Sequence, residues 1–339
     1  MSVQTRGVHH TSGIGGRAQH SIEFYYRVLG LRLVKRTVNY DDPSTYHLYF
    51  GDASGNPGSV LTLFSWPGSG AGHPGATSTR EVALRVPPGA LESWRSRLTE
   101  ADVPHVASHR LGREHLAFED PDGLRLAVVE GEPPPIPRPE PGADPASLLA
   151  PVRYFAPPFV PPEQAVVCID HVTLETTDVG AYSEILRGIL ALDEVASTDG
   201  RVRLAPRGSE DYGARALELA PSDREGRTSF GKGSYHHVAL EVENDEALEQ
   251  ARALVMSAGL APTKIKERTY FRSVYFSGPG GAVIELATRG PGFTADEPLE
   301  ELGLGFKLPE WLESERQFIR SQLPVTASPE YAHLYRPQS

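Results

Sequence analysis

The chain has 339 residues, more than a single domain usually contains, so two domains of ordinary size are expected. It is 39% hydrophobic and 23% charged, as soluble globular proteins are, and no apolar run approaches the length that crosses a bilayer, which argues against a membrane protein. The 33 basic and 44 acidic residues give a net charge of −11, which disfavours nucleic acid as a partner.

The N-terminus and the cysteine count narrow the cellular and chemical setting. The first twenty residues contain no apolar core of a signal peptide, so we expect a cytoplasmic protein. The single cysteine, Cys168, cannot form an intrachain disulfide, and it excludes a cysteine-ligated zinc or iron–sulfur centre within one chain. Any metal must therefore be bound by histidine and carboxylate side chains.

Four segments of the chain share one layout. Each opens with a short strand-like run: VHHTSGI from Val8, REVALRV from Arg80, CIDHVTLET from Cys168 and SYHHVALEV from Ser234. A stretch with apolar residues at helical spacing follows each run. Each segment then closes with a strand after a turn, as in GNPG before SVLTLF, DPDG before LRLAVVE and GPGG before AVIELA, while ARALELA follows the looser DYG. The repeat predicts four βαβββ modules.

The modules divide the chain into four regions. Residues 1–131 hold the first two modules and 166–290 hold the last two, while the proline-rich stretch 132–165 forbids regular helix or sheet and is expected to link them. Residues 291–339 form a C-terminal extension. The spacing of Trp311, Glu315 and Ile319 predicts a terminal helix, which is expected to pack over the last module.

A βαβββ unit cannot close its sheet alone, so two units must pair to cover their edges and enclose a cavity. The sequence therefore predicts an α+β fold in which four βαβββ modules form two paired-module barrels. This layout resembles the vicinal oxygen chelate superfamily, which includes glyoxalases, extradiol dioxygenases and bleomycin-resistance proteins.

Two doubled histidines and one glutamate are the candidate metal ligands. Side chains alternate between the two faces of a strand, so only one member of His9–His10 and one of His236–His237 can face a cavity. Glu285 lies within the apolar strand AVIELAT, where a buried carboxylate needs a positive partner; a metal is the simplest, and Arg268 is an alternative. Two histidines and a carboxylate form the facial triad of non-haem Fe(II) oxygenases, and the same donors bind Mn²⁺ or Zn²⁺.

Longer segments sharpen the resemblance. LGLRLVKRTVNYDDPSTYHLYFGD, HHVALEV and ERTYFRSVYFSGPGGAVIELATRGPGFTADE closely resemble ring-cleaving dioxygenases that act on hydroquinones. The resemblance implies three metal ligands, namely His10, His237 and Glu285. It also implies catalytic roles for four further residues, namely His9, His236, Arg268 and Tyr275.

The implied catalytic roles are chemically reasonable. Ring cleavage needs an acid when the O–O bond breaks, which His or Tyr can supply, and Arg268 can hold oxyanion charge. Arg268 and Tyr275 are both expected on the strand before AVIELAT. Thr62 of SVLTLF stands where the fourth module has its glutamate, so the metal keeps open positions. We expect Asp41, Asp42 and Tyr46 to be loop and hairpin residues without a catalytic role.

The leading function is therefore a non-haem Fe(II)-dependent ring-cleaving dioxygenase whose partners are O₂ and a small hydroquinone-like aromatic compound. A catechol extradiol dioxygenase, a glyoxalase-like lyase or isomerase, and a protein that binds aromatic compounds remain alternatives, and homo-oligomerisation stays open. His171 of DHVTLET competes with His10 as the first ligand. We favour His10, which requires module one to pair with module four, and expect His171 to hydrogen-bond locally with Glu218.

Overall fold

The computed structural model describes residues 2–133, 155–208 and 214–329. Sixteen strands of these ranges form two curled eight-stranded sheets. In chain order the strands are β1 (Thr5–Gly15), β2 (Arg32–Asn39), β3 (Asp42–Gly51), β4 (Val60–Ser65), β5 (Ser78–Val86), β6 (His105–Arg110), β7 (Arg113–Glu119), β8 (Arg125–Glu130), β9 (Cys168–Thr176), β10 (Leu192–Thr198), β11 (Arg201–Pro206), β12 (Ala216–Pro221), β13 (Tyr235–Val242), β14 (Lys266–Glu267), β15 (Arg272–Ser277) and β16 (Val283–Thr288).

One helix follows the first strand of each module, and a fifth lies in the C-terminal extension. They are α1 (Ala18–Glu23), which continues as a π-helical turn over Phe24–Val28, α2 (Leu91–Glu100), α3 (Val179–Ile189), α4 (Asp245–Ser257) and α5 (Arg316–Gln322). The side chains of Asp178 and Asn244 accept hydrogen bonds from backbone N–H groups in the first turns of α3 and α4 and so cap these helices.

The modules pair across the linker. The first sheet has the order β14-β15-β16-β13-β1-β4-β3-β2 and joins module four to module one; the second has the order β10-β11-β12-β9-β5-β8-β7-β6 and joins module three to module two. We call them the first and second barrel. The predicted α+β fold of paired modules is confirmed, and each barrel combines one module from the first half of the chain with one from the second.

The helices cover the outer faces of the sheets, where each buries its apolar side. Trp94 and Leu98 of α2 are fully buried, as are Leu248 and Val255 of α4, because apolar residues three and four apart share one helix face. These residues belong to one large hydrophobic core. The concave sides of the sheets carry buried polar side chains together with smaller apolar clusters.

The linker lies largely outside the described residues, which resume at 155. From there to residue 165 the chain is irregular except for a short 3₁₀ helix, Pro162–Gln164. Among the described residues no helix is long and apolar enough to cross a membrane.

The C-terminal extension packs against module one as well as module four, a wider contact than the sequence suggested. Lys35 of β2 is fully buried; its ammonium lies 2.6 Å from Asp296 Oδ1 and also contacts Glu297. Asp296 Oδ2 accepts a hydrogen bond of 3.0 Å from the hydroxyl of Tyr270, which precedes β15. The extension thus joins the two edges of the first barrel. A 3₁₀ turn over Glu310–Glu315 precedes α5, where one helix was predicted.

Candidate active site

The register of the central strands brings the predicted ligands onto one face of the first barrel. Glu285 on β16 lies opposite Ala239 on β13, and Ala239 lies opposite His10 on β1. His237, two residues before Ala239, lies opposite Ser12. Because residues two apart on a strand share a face, all of these side chains point to the concave side.

The three predicted ligands are clustered and buried. His10 Nε2 lies 3.1 Å from Glu285 Oε2, His237 Nε2 lies 2.9 Å from the same oxygen, and the two Nε2 atoms are 3.3 Å apart. Their donor atoms all lie within 4.8 Å of one another. Such a cluster offers one ligand atom per residue around a common centre.

The burial and the neighbours of the Glu285 carboxylate fit a metal-binding role. The side chain is fully buried, and the groups beside its Oε2 are the two imidazole nitrogens; among the described residues no lysine or arginine forms an ion pair with it. Burial alone would raise the pKa of Glu285, but the two neighbouring imidazoles hold it well below its ordinary value. A buried anion without a lysine or arginine partner is suited to a metal cation, and two imidazoles and a carboxylate are ligands for Fe(II), Mn²⁺ or Zn²⁺.

The residue before each predicted histidine ligand contacts its ring. His9 Nδ1 lies 2.9 Å from His10 Nδ1, and His236 Nδ1 lies 2.8 Å from His237 Nδ1. These contacts occupy Nδ1 of His10 and of His237 and leave Nε2 of each ring for a metal. Burial, reinforced by the adjacent histidine, lowers the pKa values of His9 and His236 to about 3, so both rings are neutral at pH 7.

Arg268 and Tyr275 lie beside the cluster. Tyr275 is on β15 opposite Glu285, whereas Arg268 lies in the turn after β14 and not on the same strand. Arg268 Nε donates to the Tyr275 hydroxyl at 3.3 Å, and Arg268 Nη2 donates to Asp41 Oδ2 at 3.2 Å. Burial, together with the charge of Glu285, raises the pKa of Tyr275, so its phenol keeps its proton.

A cavity of about 160 Å³ opens beside the cluster. This is close to the size of a cavity that binds benzene, roughly 150 Å³. Its walls are mainly aromatic and imidazole side chains, and the lining residues are His10, Asn39, Tyr40, Asp41, His47, Tyr49, Phe64, Trp66, His236, His237, Arg268, Phe271 and Tyr275. His9 is not among the described residues that line the cavity, since its ring lies behind His10 and against Phe271.

Two residues of the site, His47 and Tyr49, were missed from the sequence. They lie on the concave face together with Thr62, which pairs in register with both Tyr49 and Ser12. The alternation of polar and apolar residues in STYHLYF is a signal for His47. Asp41, expected to be a loop residue, lies in the β2–β3 turn and pairs with Arg268, while Asp42 and Tyr46 belong to β3 of that hairpin.

His171, the competitor of His10, lies in the second barrel. Its Nδ1 is 2.8 Å from Asp170 Oδ1 and its Nε2 is 3.5 Å from Glu218 Oε2. Among the described residues it joins no cluster of three metal-binding side chains. The structure therefore places His10, rather than His171, beside His237 and Glu285.

Comparisons with known proteins agree with this architecture. Residues 7–128 match the family model of the Glyoxalase/Bleomycin resistance protein/Dioxygenase superfamily. MhqE of Bacillus subtilis (strain 168), named as a ring-cleaving dioxygenase, is 37% identical over 324 residues, which are 95% of this chain and 99% of MhqE. The chlorohydroquinone/hydroquinone 1,2-dioxygenase of Sphingobium indicum is 30% identical over 322 residues, 92% of this chain and 94% of its own.

Solved structures give the same result. A Bacillus subtilis protein described as a dioxygenase has a TM-score of 0.87 and 33% identity, covering 97% of this chain and all of that one. Glyoxalase I from Zea mays has a TM-score of 0.57 at 15% identity, covering 88% and 95% of the two chains, so it shares the fold alone. The chain belongs to the glyoxalase/bleomycin resistance protein/dioxygenase superfamily and, within it, to the ring-cleaving dioxygenases.

Proposed function

We propose that the protein is an Fe(II)-dependent dioxygenase that opens the ring of hydroquinone-like compounds, with His10, His237 and Glu285 as the metal ligands. The observation that carries the proposal is the fully buried carboxylate of Glu285, which lies between two imidazole nitrogens and, among the described residues, pairs with no lysine or arginine. The substrate class is supported by the similarity to a hydroquinone dioxygenase over most of the chain and by a cavity that fits one aromatic ring.

Bound Fe(II) would supply open coordination positions for the substrate oxygen and O₂ and the electrons that activate O₂. The side chains of the cavity bind the substrate and supply hydrogen bonds or a proton to it. Arg268 places a cation at the cavity wall, where it attracts the negative charge of an ionised substrate. Tyr275, whose raised pKa keeps it protonated, can donate a proton or a hydrogen bond from the side of Glu285.

His9 and His236, which precede the two proposed histidine ligands, have different positions and therefore different proposed roles. His236 lines the cavity between the rings of Phe64 and Phe230 and can hydrogen-bond to a substrate hydroxyl. His9 does not reach the cavity wall and acts on His10, whose orientation it fixes through the Nδ1 contact.

The test is an oxygen-electrode measurement on protein purified without O₂ and loaded with Fe(II). Hydroquinone, methylhydroquinone, catechol and a methylglyoxal–thiol adduct are supplied in turn. We expect one O₂ consumed per ring opened, with hydroquinones preferred. Turnover of the thiol adduct under strict anaerobiosis would instead show a lyase or isomerase, preference for catechol would show an extradiol enzyme, and tight ring binding without turnover would show a binding protein.

A further inference from the structure

A chain of four polar side chains runs through the first barrel on the side opposite Glu285. Ser12 Oγ lies 2.6 Å from Thr62 Oγ1, Thr62 Oγ1 lies 2.8 Å from His47 Nε2, and His47 Nδ1 lies 2.9 Å from the Tyr49 hydroxyl. At the other end, Ser12 Oγ lies 3.0 Å from His237 Nε2. The chain thus leads from the cavity wall to the nitrogen of a proposed metal ligand.

This chain of hydrogen-bonding side chains lies where module one would carry a second carboxylate. Thr62 pairs in register with Ser12 and Tyr49, as Glu285 pairs with Ala239 and Tyr275, so Thr62 and Glu285 hold equivalent positions in modules one and four. Where module four supplies an anion, module one supplies hydroxyl groups. The side of the site left open by a threonine is therefore filled with hydrogen-bonding groups.

The surroundings of Tyr49 determine which group donates each hydrogen bond along this chain of side chains. Tyr49 packs in an apolar cluster with Val60, Tyr270 and Phe293, and burial raises the pKa of its phenol, so the proton stays on the oxygen. Among the described residues this hydroxyl has His47 Nδ1 as its partner, so it donates to that nitrogen. Burial also lowers the pKa of His47, whose neutral ring then carries its single proton on Nε2.

The remaining bonds follow from that tautomer. His47 Nε2–H donates to Thr62 and Thr62 donates to Ser12. His237 Nε2 also lies 2.9 Å from the Glu285 carboxylate and is the proposed metal-binding atom, so it does not accept the Ser12 proton. Ser12 is buried and does not itself line the cavity, but its hydroxyl lies 3.0 Å from Nε2 of His237, which does, so its proton can go to an oxygen bound beside His237.

We propose that this chain presents the Ser12 hydroxyl proton to the oxygen of a phenolic ligand bound beside His237, which makes Tyr49, His47 and Thr62 positioning residues for substrate binding. The inference rests on the proposed function, because it requires a phenol in this cavity. It assigns specificity to module one, whereas Arg268 and Tyr275 belong to module four.

The first test reads the direction of the chain in the metal-free protein. Two-bond ¹H–¹⁵N correlation spectra of ¹⁵N-histidine-labelled protein distinguish the two neutral tautomers, and the signal of His47 is assigned from its loss in His47→Asn. We expect the Nε2–H tautomer for His47. An Nδ1–H tautomer would reverse every bond of the chain and overturn the proposal.

The second test measures binding rather than turnover. The dissociation constant of 4-nitrophenol is read from its visible absorption on Fe(II)-loaded protein without O₂, for wild type, Thr62→Val and Thr62→Ser. We expect Thr62→Val to weaken binding about tenfold or more, the effect of one charge-assisted hydrogen bond. Thr62→Ser restores the hydroxyl and should bind nearly as wild type does. Iron content should be the same in all three proteins.

Thr173→Val is the matched control. Thr173 is a buried threonine at the corresponding face of the second barrel, opposite Glu218, and its change removes a hydroxyl without touching the chain. It should leave nitrophenol binding unchanged. Wild-type affinity in Thr62→Val, or no nitrophenol binding to the wild type, contradicts the inference. Failure of the proposed function looks different: the binding pattern persists, but no aromatic compound supports O₂ uptake.

Discussion

The first and second barrels carry a buried glutamate at the same register position, yet the two carboxylates have different neighbours. Glu285 lies opposite Ala239 and Tyr275, and Glu218 lies opposite Thr173 and Arg203. Among the described residues no lysine or arginine pairs with Glu285, whose neighbours are two imidazoles, whereas Glu218 accepts from Arg201 at 2.7 Å and from Arg203 at 3.4 Å.

Elsewhere in the second barrel, acids paired with arginines also replace the histidines of the first barrel. Glu81, paired at 2.6 Å with Arg110, stands where the first barrel has His10. Asp170 stands where the first has His236, and Arg85 Nη2 lies 2.6 Å from its carboxylate. The second barrel therefore supplies its own cations to the buried acids. A buried carboxylate in an apolar strand indicates a metal only where the chain provides no cation for it.

The largest difference between the barrels should be in metal binding. His10→Ala removes one of the three proposed ligands, and we expect loss of bound iron and of O₂ uptake, whereas His171→Ala should retain both. Metal analysis and the oxygen electrode measure this. Added metal should also stabilise wild type against unfolding, by about 4 kcal/mol at a thousandfold excess over Kd, and should not stabilise His10→Ala. An iron-replete His10→Ala beside a metal-free His171→Ala would move the site to the second barrel.

The next largest effect concerns the stability of the second barrel. Burial opposes ionisation of Glu218, but His171 and the arginines, Arg203 foremost, lower its pKa to about 2. A carboxyl whose pKa falls on folding stabilises the protein above its ordinary pKa near 4.5, and this stabilisation is lost as the pH falls toward 2. Glu218→Gln should therefore lower the free energy of unfolding at pH 7 by about 3 kcal/mol.

Chemical denaturation between pH 7 and pH 2 checks this result. The difference between wild type and Glu218→Gln should shrink below about pH 4.5. Glu114→Gln is the control, because Glu114 pairs with Arg95 on a partly exposed surface and should cost under about 1 kcal/mol. A difference for Glu218→Gln that stays constant down to pH 2 would show that packing, not charge, dominates at Glu218.

A smaller effect is expected from the cavity residues that are not ligands. Arg268→Ala and Tyr275→Phe should leave iron content near normal and lower kcat by roughly a hundredfold, because each removes a group that stabilises charge or moves a proton. Arg203→Met, at the position equivalent to Tyr275 in the second barrel, should leave kcat near that of wild type if the variant folds. Unchanged rates in both first-barrel variants would assign Arg268 and Tyr275 a structural role.

The smallest effect concerns the extension, whose described hydrogen bonds to the modules go to the first barrel. Asp296→Asn weakens the bond to Lys35 but leaves Glu297 in contact with it, so we expect a loss of about 1–2 kcal/mol in the free energy of unfolding. Asp245→Asn, which breaks an exposed pair with Arg272, should cost less than about 1 kcal/mol. Equal losses in the two variants would remove any special role for the extension.

The sequence predicted the repeat and the candidate ligands because both leave local patterns, whereas the choice of His10 and His237 within the two HH pairs came from the family resemblance. The HH pairs open modules one and four, and AVIELAT closes module four around a single acid. The arginines that neutralise the second cavity were missed, although RVRLAP places Arg201 and Arg203 on one face of β11. Their meaning depends on register with Glu218, which strand pairing sets and local sequence does not.

The chain from Ser12 to Tyr49 was missed for a related reason. Its members come from three strands, and each is an ordinary polar residue in its own segment. Alternation assigns them to a face but does not tell which neighbours they meet. By contrast, the choice of His10 over His171 required module one to pair with module four, and the sheet order has that pairing.

The nested order of the modules has a consequence for biosynthesis. Modules two and three lie between modules one and four in the chain, so a ribosome releases all strands of the second barrel before it releases β13. The second barrel can close while β1 still lacks its central partner. His237 and Glu285 belong to module four, so the proposed metal site of the first barrel cannot form until that module has been synthesised. A nascent chain stalled before β13 would carry a complete second barrel and a module one without its partner module.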